Sequence, residues 1–192
     1  MSKNVLIIQG HPDGESEHFG HGLANAYAMG AGEAGHKIER IEVAQLDFPL
    51  VRSQDDWHSE AVPADIRSAQ NLISWADHLA IFYPLWLGTM PALFKGFLEQ
   101  VLRPGFAMDV SETSSFPKKL LKDKSARIVV TMGMPSLFYR LFYQSHSVKN
   151  LERNILKFCG ITPVKTTYIG GIESDSGHAR WLDKIKDLGV GE

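Results

Sequence analysis

Five short segments with strand-like patterns, each followed by a stretch with helical spacing, constrain the fold of this chain more than any other feature. These segments cover residues 5–9, 37–43, 78–82, 126–132 and 164–169, and that at 37–43 alternates between apolar and polar residues. Apolar residues recur at helical spacing over 17–34, 65–75, 92–102, 147–158 and 181–188. Strands that alternate with helices form mostly parallel sheets with helices on both faces. The pattern therefore predicts an α/β chain.

The length of the chain favours a single domain, and this narrows the possible arrangements of the strands and helices. A chain of 192 residues with 44% apolar residues can bury one substantial core, so we expect a single domain over 1–192. For five strands in one domain, the natural choice is the flavodoxin-like doubly wound parallel sheet with strand order 2-1-3-4-5. In that topology a ligand binds at the carboxyl ends of strands one and three.

Composition excludes several functions. The formal net charge is −2 and no Lys/Arg block is present, so nucleic acid is not an expected partner. No apolar run approaches ~20 residues, which predicts a cytoplasmic protein without an integral membrane segment. Cys159 is the only cysteine, so an intrachain disulfide or a thiolate metal cluster cannot form, and redox chemistry would need a bound cofactor.

Three unusual loops follow predicted strands one, three and four, at 10–19, 84–90 and 133–139. The first contains His11, Ser16 and His18 ahead of a helix, whose free N–H groups and dipole attract anions. It is neither a P-loop nor a dinucleotide fingerprint. Either these side chains hold a phosphate, or Ser16 caps the helix and the histidines are solvated.

The other two loops would form a pocket for a planar ring. The segment 83–91 joins a strand to a helix and offers backbone amides beside the aromatic wall of Trp86, although Trp86 and Leu87 could equally be core or dimer-contact residues. Thr131 to Met134 would bring backbone close to the ring, because Gly133 permits that approach. Tyr139 and His146 are candidate proton donors, or alternatively a surface residue and a helix-start residue.

Taken together, these motifs resemble the flavodoxin-like NAD(P)H:quinone oxidoreductase family, which also includes ancillary subunits of potassium efflux systems. The resemblance spans about residues 5–172 and is carried by residues 5–12 with Ser16 and His18, 83–86, 90–96, Thr131 with Gly133, and 158–160. The segment 90–96, with its Pro-x-x-x-Lys-Gly pattern, is the most specific of these motifs.

The resemblance implies a non-covalently bound flavin, FMN or FAD, with NAD(P)H as hydride donor and a quinone-like acceptor that takes two electrons. It implies that Tyr139 and His146 are catalytic, and that a homodimer forms with residues 137–143 near the interface. The implied cofactor-binding residues are His11, Ser16, His18, Phe19, Leu85, Trp86, Leu87, Gly88, Thr131, Met132, Gly133 and Met134. No metal is expected.

Two other functions remain open at this point. One is a non-catalytic, flavin-binding regulatory subunit of a potassium efflux transporter. The other is a zinc-dependent amide hydrolase, because His11-Pro12-Asp13 after a first strand also resembles the His-Pro-Asp-Asp-Glu motif of N-acetylglucosaminyl deacetylase-like enzymes. Gly14 stands where that motif has its second Asp, so zinc would depend on His11, His18 and His21.

Overall fold

The computed structural model describes residues 2–110, 117–174 and 177–192. Its strands are β1 (Asn4–Gln9), β2 (Lys37–Glu42), β3 (His78–Pro84), β4 (Met108–Asp109), β5 (Lys118–Lys119), β6 (Ser125–Met132) and β7 (Val164–Gly170). Five of them form a parallel sheet in the order β2-β1-β3-β6-β7, while β4 and β5 form an antiparallel pair. This order confirms the predicted 2-1-3-4-5 topology.

The helices are α1 (Phe19–Glu33), α2 (Gln54–His58), α3 (Ala64–Trp75), α4 (Ala92–Val101), α5 (Ser136–Leu141), α6 (His146–Asn150), α7 (Lys157–Cys159) and α8 (His178–Val190). A 3₁₀ turn covers Val43–Gln45, and a π-helical segment, Leu151–Leu156, joins α6 to α7. The helix predicted over 147–158 is therefore present as one continuous helical stretch, 146–159, whose middle part is π-helical.

Two segments without a clear period in the sequence contain short elements. Helix α2 lies within the segment 52–64, where the Ser53 hydroxyl accepts a hydrogen bond from the Asp56 N–H at 3.0 Å and so caps the helix. Strands β4 and β5 lie in the connection after α4, whose residues 111–116 fall outside the described part of the chain. Elements this short contain too few residues to show a helical or strand period in the sequence.

The sheet has a buried core on each face because successive side chains of a strand point to opposite faces. In β1, Leu6 and Ile8 pack with the apolar side chains of α3 and α4, whereas Val5 and Ile7 pack with those of α1 and α8. Every residue of β3 is buried. A parallel sheet covered on both faces produces the continuous apolar runs seen in the sequence.

Helices α1 and α8 approach so closely that two glycines are required. A Cβ atom on Gly30 would lie 2.0 Å from the carbonyl oxygen of Lys186, and one on Gly189 would lie 2.3 Å from that of Tyr27. The two backbones are therefore in direct contact. This contact fixes the position of α8, which begins at the carboxyl edge of the sheet.

A buried polar network lies at the opposite edge, where β3 and β6 begin. His78 accepts or donates hydrogen bonds at both ring nitrogens, with the Tyr27 hydroxyl at 3.0 Å and the Ser125 hydroxyl at 2.7 Å. The Glu192 carboxylate forms an ion pair with Arg127, and its other oxygen lies 3.7 Å from Nδ1 of His78. Burial lowers the pKa of His78 to about 4, against an ordinary value of 6.5.

This pKa predicts acid sensitivity. An unfolded histidine takes up its proton near pH 6.5 and the buried His78 only near pH 4, so the unfolded state binds more protons between these values. We expect the free energy of unfolding to fall by roughly 3 kcal/mol as the pH drops through this window. Urea titrations across pH 7 to 4 measure the effect. His78→Gln should show a smaller decrease, and equal pH slopes would contradict this assignment.

Candidate active site

A cavity of about 540 Å³ opens at the carboxyl edge of the sheet, which is the size range of small-molecule sites. It lies where strands β1, β3, β6 and β7 end, at the position that the strand order predicts for a ligand. Five of the residues expected to bind a cofactor line it: His11, His18, Phe19, Trp86 and Thr131. The topology thus brings parts of the first two loops to one cavity, together with Thr131 from the end of β6.

A cluster of three imidazole rings lies beside this cavity, and two of them, His11 and His18, line it. The ring of His11 is buried and stacks on that of His18 with centroids 4.0 Å apart, and its centroid lies 5.3 Å from that of His21. Burial, together with the neighbouring His18, lowers the pKa of His11. Nδ1 of His11 lies 3.1 Å from the Asp13 nitrogen and 3.3 Å from the Asp13 carbonyl oxygen. In the tautomer in which Nδ1 accepts the Asp13 N–H, the neutral ring carries its proton on Nε2 and offers a donor there.

Asp13 places a carboxylate beside these rings. One oxygen accepts the backbone N–H groups of Glu15 at 2.9 Å and Ser16 at 3.3 Å, and the other lies 2.7 Å from Nε2 of His18. The hydrogen bond from His18 holds the pKa of Asp13 far below its usual range. The loop thus already holds one anionic group of its own.

Helix α1 begins beside this carboxylate. His18 is its N-cap, and the His18 N–H donates to Nδ1 of His21 at 3.1 Å, so the alternative that Ser16 caps the helix is wrong. The first two helical residues, Phe19 and Gly20, line the cavity, and no helix can satisfy their N–H groups internally. Ser16 is exposed and lines a neighbouring cavity instead.

The loop after β3 is a tight turn that exposes apolar side chains. Trp86 and Thr89 exchange backbone hydrogen bonds at 2.8 and 2.9 Å, with Leu87 at φ 47° and Gly88 at φ 80°. The Leu87 side chain is fully exposed, in a backbone conformation that is unfavourable for leucine. Trp86 is about half exposed and meets His11 edge-on at 5.7 Å, so neither residue belongs to the core.

The loop after β6 supports this turn. The Leu85 N–H donates to the Thr131 carbonyl at 2.7 Å, and the carbonyls of Met132 and Met134 accept from the 171–172 backbone at 3.5 and 3.3 Å. Met132 is buried, and a Cβ atom on Gly133 would lie 2.8 Å from Oε1 of Glu173. Of the predicted ring-binding residues, those that do not line the cavity are Leu85, Leu87, Gly88, Met132, Gly133 and Met134.

Tyr139 and His146 lie outside the set of residues that line the cavity. Tyr139 has no exposed surface, and its hydroxyl is hydrogen-bonded to the Ser147 hydroxyl at 2.9 Å. The alternative that Tyr139 is a surface residue is therefore wrong. His146 is exposed at the start of α6, with Nδ1 2.7 Å from the Tyr143 carbonyl oxygen. Neither side chain lines the cavity.

One wall of the cavity, formed by Ile172 and His178, was not predicted from the sequence. The His178 ring stacks on Phe19 with centroids 3.8 Å apart, and its Nε2 lies 3.0 Å from the Ile172 carbonyl oxygen. A usable signal existed, because the fifth predicted strand also ends at this edge of the sheet. Residues after 169 were therefore candidates.

A family model described as a flavodoxin-like fold matches residues 3–188. The chain belongs to this flavodoxin-like family. An uncharacterised NAD(P)H oxidoreductase of Haemophilus influenzae is 29% identical over 92% of this chain and 88% of its own length. An FMN-dependent NADH:quinone oxidoreductase of Jannaschia sp. is 25% identical over 77% of this chain and 82% of its own.

A solved structure shares this fold. The NAD(P)H:quinone oxidoreductase of Methanothermobacter marburgensis superposes with a TM-score of 0.83 over 100% of this chain and 97% of its own, at 24% identity. Within residues 2–110, 117–174 and 177–192, no group of three His, Cys, Asp or Glu side chains is arranged to hold a metal ion. The same residues contain no helix that is long and apolar enough to cross a membrane.

Proposed function

We propose that this protein is a flavin-dependent NAD(P)H:quinone oxidoreductase with non-covalently bound FMN. The observation that carries the proposal is one cavity, at the carboxyl edge of a flavodoxin-like sheet, that combines an anion-binding loop with an exposed aromatic turn. Relatives described as an NAD(P)H oxidoreductase and an FMN-dependent NADH:quinone oxidoreductase support it. The bound flavin would accept a hydride from NAD(P)H and pass two electrons to a quinone.

The phosphate of the flavin would bind at the start of α1. His11 would offer Nε2–H, the His18 ring lines the same cavity, and the amides of Phe19 and Gly20 have no partner within the helix. An anion at a helix N-terminus is stabilised by the free N–H groups and by the helix dipole. We also propose Ser16 as a polar neighbour, acting through its exposed hydroxyl.

Asp13 should oppose the binding of that phosphate. Asp13→Asn keeps an oxygen for the amides of Glu15 and Ser16 but removes the negative charge beside His18. We expect the dissociation constant of FMN to fall by about threefold to tenfold at low salt, and less at high salt. Fluorescence titrations with FMN and riboflavin measure this change. Riboflavin, which has no phosphate, serves as the control, and weaker FMN binding by the variant would contradict the prediction.

The ring of the flavin would lie against the turn after β3. Trp86 supplies an aromatic face, and Leu85, Leu87 and Gly88 supply backbone and apolar surface. The backbone from Thr131 to Met134 would border the ring from the adjacent strand. Apolar walls with a few placed polar groups exclude water and orient a bound ring.

The catalytic roles proposed for Tyr139 and His146 belong to the neighbouring face formed by α5 and α6. Tyr139 is buried, so its hydroxyl would act through Ser147, as a positioning group, whereas the exposed His146 could exchange protons with an acceptor. Single-turnover reduction of the bound flavin in Tyr139→Phe, and its reoxidation by quinone in His146→Asn, test the two roles. If both variants react at the wild-type rates, neither residue has the proposed role.

We further propose a homodimer in which α5 contacts the partner. Its surface is apolar and exposed over Leu137, Phe138, Leu141, Phe142 and Tyr143. Patches of this kind mark interaction sites in folded proteins. Sedimentation velocity of the wild type and of Phe142→Glu tests the assembly.

We also propose that residues 1–192 act as one domain, in the cytoplasm where NAD(P)H is available, without nucleic acid as a partner.

A visible spectrum of the purified protein with added FMN is the deciding experiment. We expect FMN to be retained through gel filtration and bleached by NADH or NADPH under anaerobic conditions, with the colour returning on addition of a quinone. A protein that binds no FMN would contradict the proposal. Bound FMN that neither nucleotide bleaches would favour the regulatory alternative.

A further inference from the structure

A second polar cavity, of about 420 Å³, lies beside the connection between α2 and α3 and the residues that follow α4. Two arginines line it, Arg67 from the first turns of α3 and Arg103 from just beyond α4. None of the residues that line this cavity lines the candidate active site. It is therefore a separate site, to which the proposed function assigns no role.

Arg103 is a buried cation without an anionic partner. The residue is only 5% exposed, its Nη1 donates to the Ser59 carbonyl at 3.2 Å, and its Nη2 donates to the side-chain oxygen of Gln100. Its Nε has no hydrogen-bond partner among the described residues. Both partners of the guanidinium are thus neutral, and one N–H group is left unpaired.

The carboxylate of Asp56 acts electrostatically on Arg103 but forms no ion pair with it. Asp56 instead accepts the backbone N–H of Arg52 at 3.1 Å. Burial accordingly lowers the pKa of Arg103, although an arginine remains charged at any physiological pH. A buried charge with neither a counter-ion nor a full set of hydrogen bonds destabilises a folded protein.

Arg67 adds a second cation at the mouth of the same cavity. Its Nη2 donates to the Glu60 carbonyl at 3.3 Å, and none of the described carboxylates forms an ion pair with it. The Glu60 side chain also lines the cavity, so the lining residues carry two positive charges and one negative charge. The electrostatic balance of the cavity therefore favours an anion.

We propose that this cavity binds a small oxyanion, a phosphate or carboxylate group, between Arg67 and Arg103. The planar guanidinium fork matches the oxygens of such groups and binds them through charge-assisted hydrogen bonds. The anion would neutralise Arg103 and fasten the segment between α2 and α3 to the end of α4. Titrations with inorganic phosphate and with acetate distinguish a phosphate ligand from a carboxylate ligand.

The Arg103 Nε–H resonance is monitored by NMR in the protein of residues 1–192. Phosphate, acetate or chloride is titrated in at matched ionic strength. Absence of the signal in Arg103→Lys assigns it. We expect a saturable shift with phosphate or acetate, and about tenfold weaker binding in Arg67→Ala. Arg153→Ala, which removes an exposed arginine elsewhere, is the charge-matched control and should bind like the wild type.

Three results would overturn the proposal. They are a resonance that does not respond to either oxyanion, a response that chloride reproduces, and equal weakening in Arg67→Ala and Arg153→Ala. Phosphate could also bind near His11, so His11→Ala is titrated in parallel. The Arg103 resonance must respond in that variant as it does in the wild type. If Arg103→Lys does not fold, Arg67→Ala still decides the question, with the signal assigned by through-bond correlation.

Discussion

Replacing Gly30 with alanine is expected to destabilise the protein by at least about 3 kcal/mol, since overpacking against a main chain cannot be relieved by a change of rotamer. The new methyl group would lie 2.0 Å from the carbonyl oxygen of Lys186, so α8 would have to move away from α1. For a domain of this size, the melting temperature should fall by roughly 6–12 °C. Differential scanning calorimetry of the flavin-free protein measures the change.

Gly32→Ala is the matched control in the same helix. A Cβ atom there would meet only the Cδ1 atom of Ile38, at an ordinary contact distance of 3.5 Å. Alanine is favoured over glycine within a helix by about 0.5–1 kcal/mol, so this variant should melt at or slightly above the wild-type temperature. Equal melting temperatures for the Gly30→Ala variant and the wild type would show that α1 and α8 do not pack as described.

The same displacement should reach the candidate active site. His178, the first residue of α8, lines the cavity and stacks on Phe19, so an outward shift of α8 would separate this aromatic pair. We therefore expect weaker FMN binding in Gly30→Ala even at temperatures where the variant is fully folded. Helix α8 therefore connects the close glycine packing at one end of the sheet with the cavity wall at the other end.

Much of the fold could be predicted because its determinants are local. The strands β1, β3 and β6 are buried on both faces and so appear as unbroken apolar runs, and short crossovers then restrict the order of a five-stranded parallel sheet. The π-helical part of the helix predicted over 147–158 could not be foreseen, because Leu151–Leu156 has the same apolar spacing as an ordinary helix.

The parts of the candidate site that directly follow strands were predictable from the sequence. The part that depends on how helices pack was not. His11, His18 and Trp86 follow β1 and β3 directly, so the topology alone brings them together. The contribution of His178 depends on the angle of α8, which in turn depends on close contact at Gly30 and Gly189. Tyr139 shows a further limit. Spacing could not tell which aromatic residue of 138–143 turns inward, and the structure buries Tyr139 while its neighbours remain exposed.

His11→Ala should produce the largest functional effect, raising the dissociation constant of FMN by about tenfold to a hundredfold through loss of a charge-assisted hydrogen bond to the phosphate. The variant also removes the ring that stacks on His18 at 4.0 Å and the Nδ1 acceptor of the Asp13 N–H, so the loop itself should loosen. Fluorescence titration measures the affinity. Under turnover with limiting FMN, activity should fall in parallel.

Two controls separate the phosphate contact from loop structure. His11→Asn retains an acceptor near the position of Nδ1 but lacks the Nε2–H donor, so it should keep the turn and still bind FMN weakly. Riboflavin has the same ring without the phosphate, and its affinity should change far less than that of FMN in both variants. Equal losses for FMN and riboflavin would place His11 beside the ring rather than the phosphate, and unchanged FMN affinity would remove it from the site.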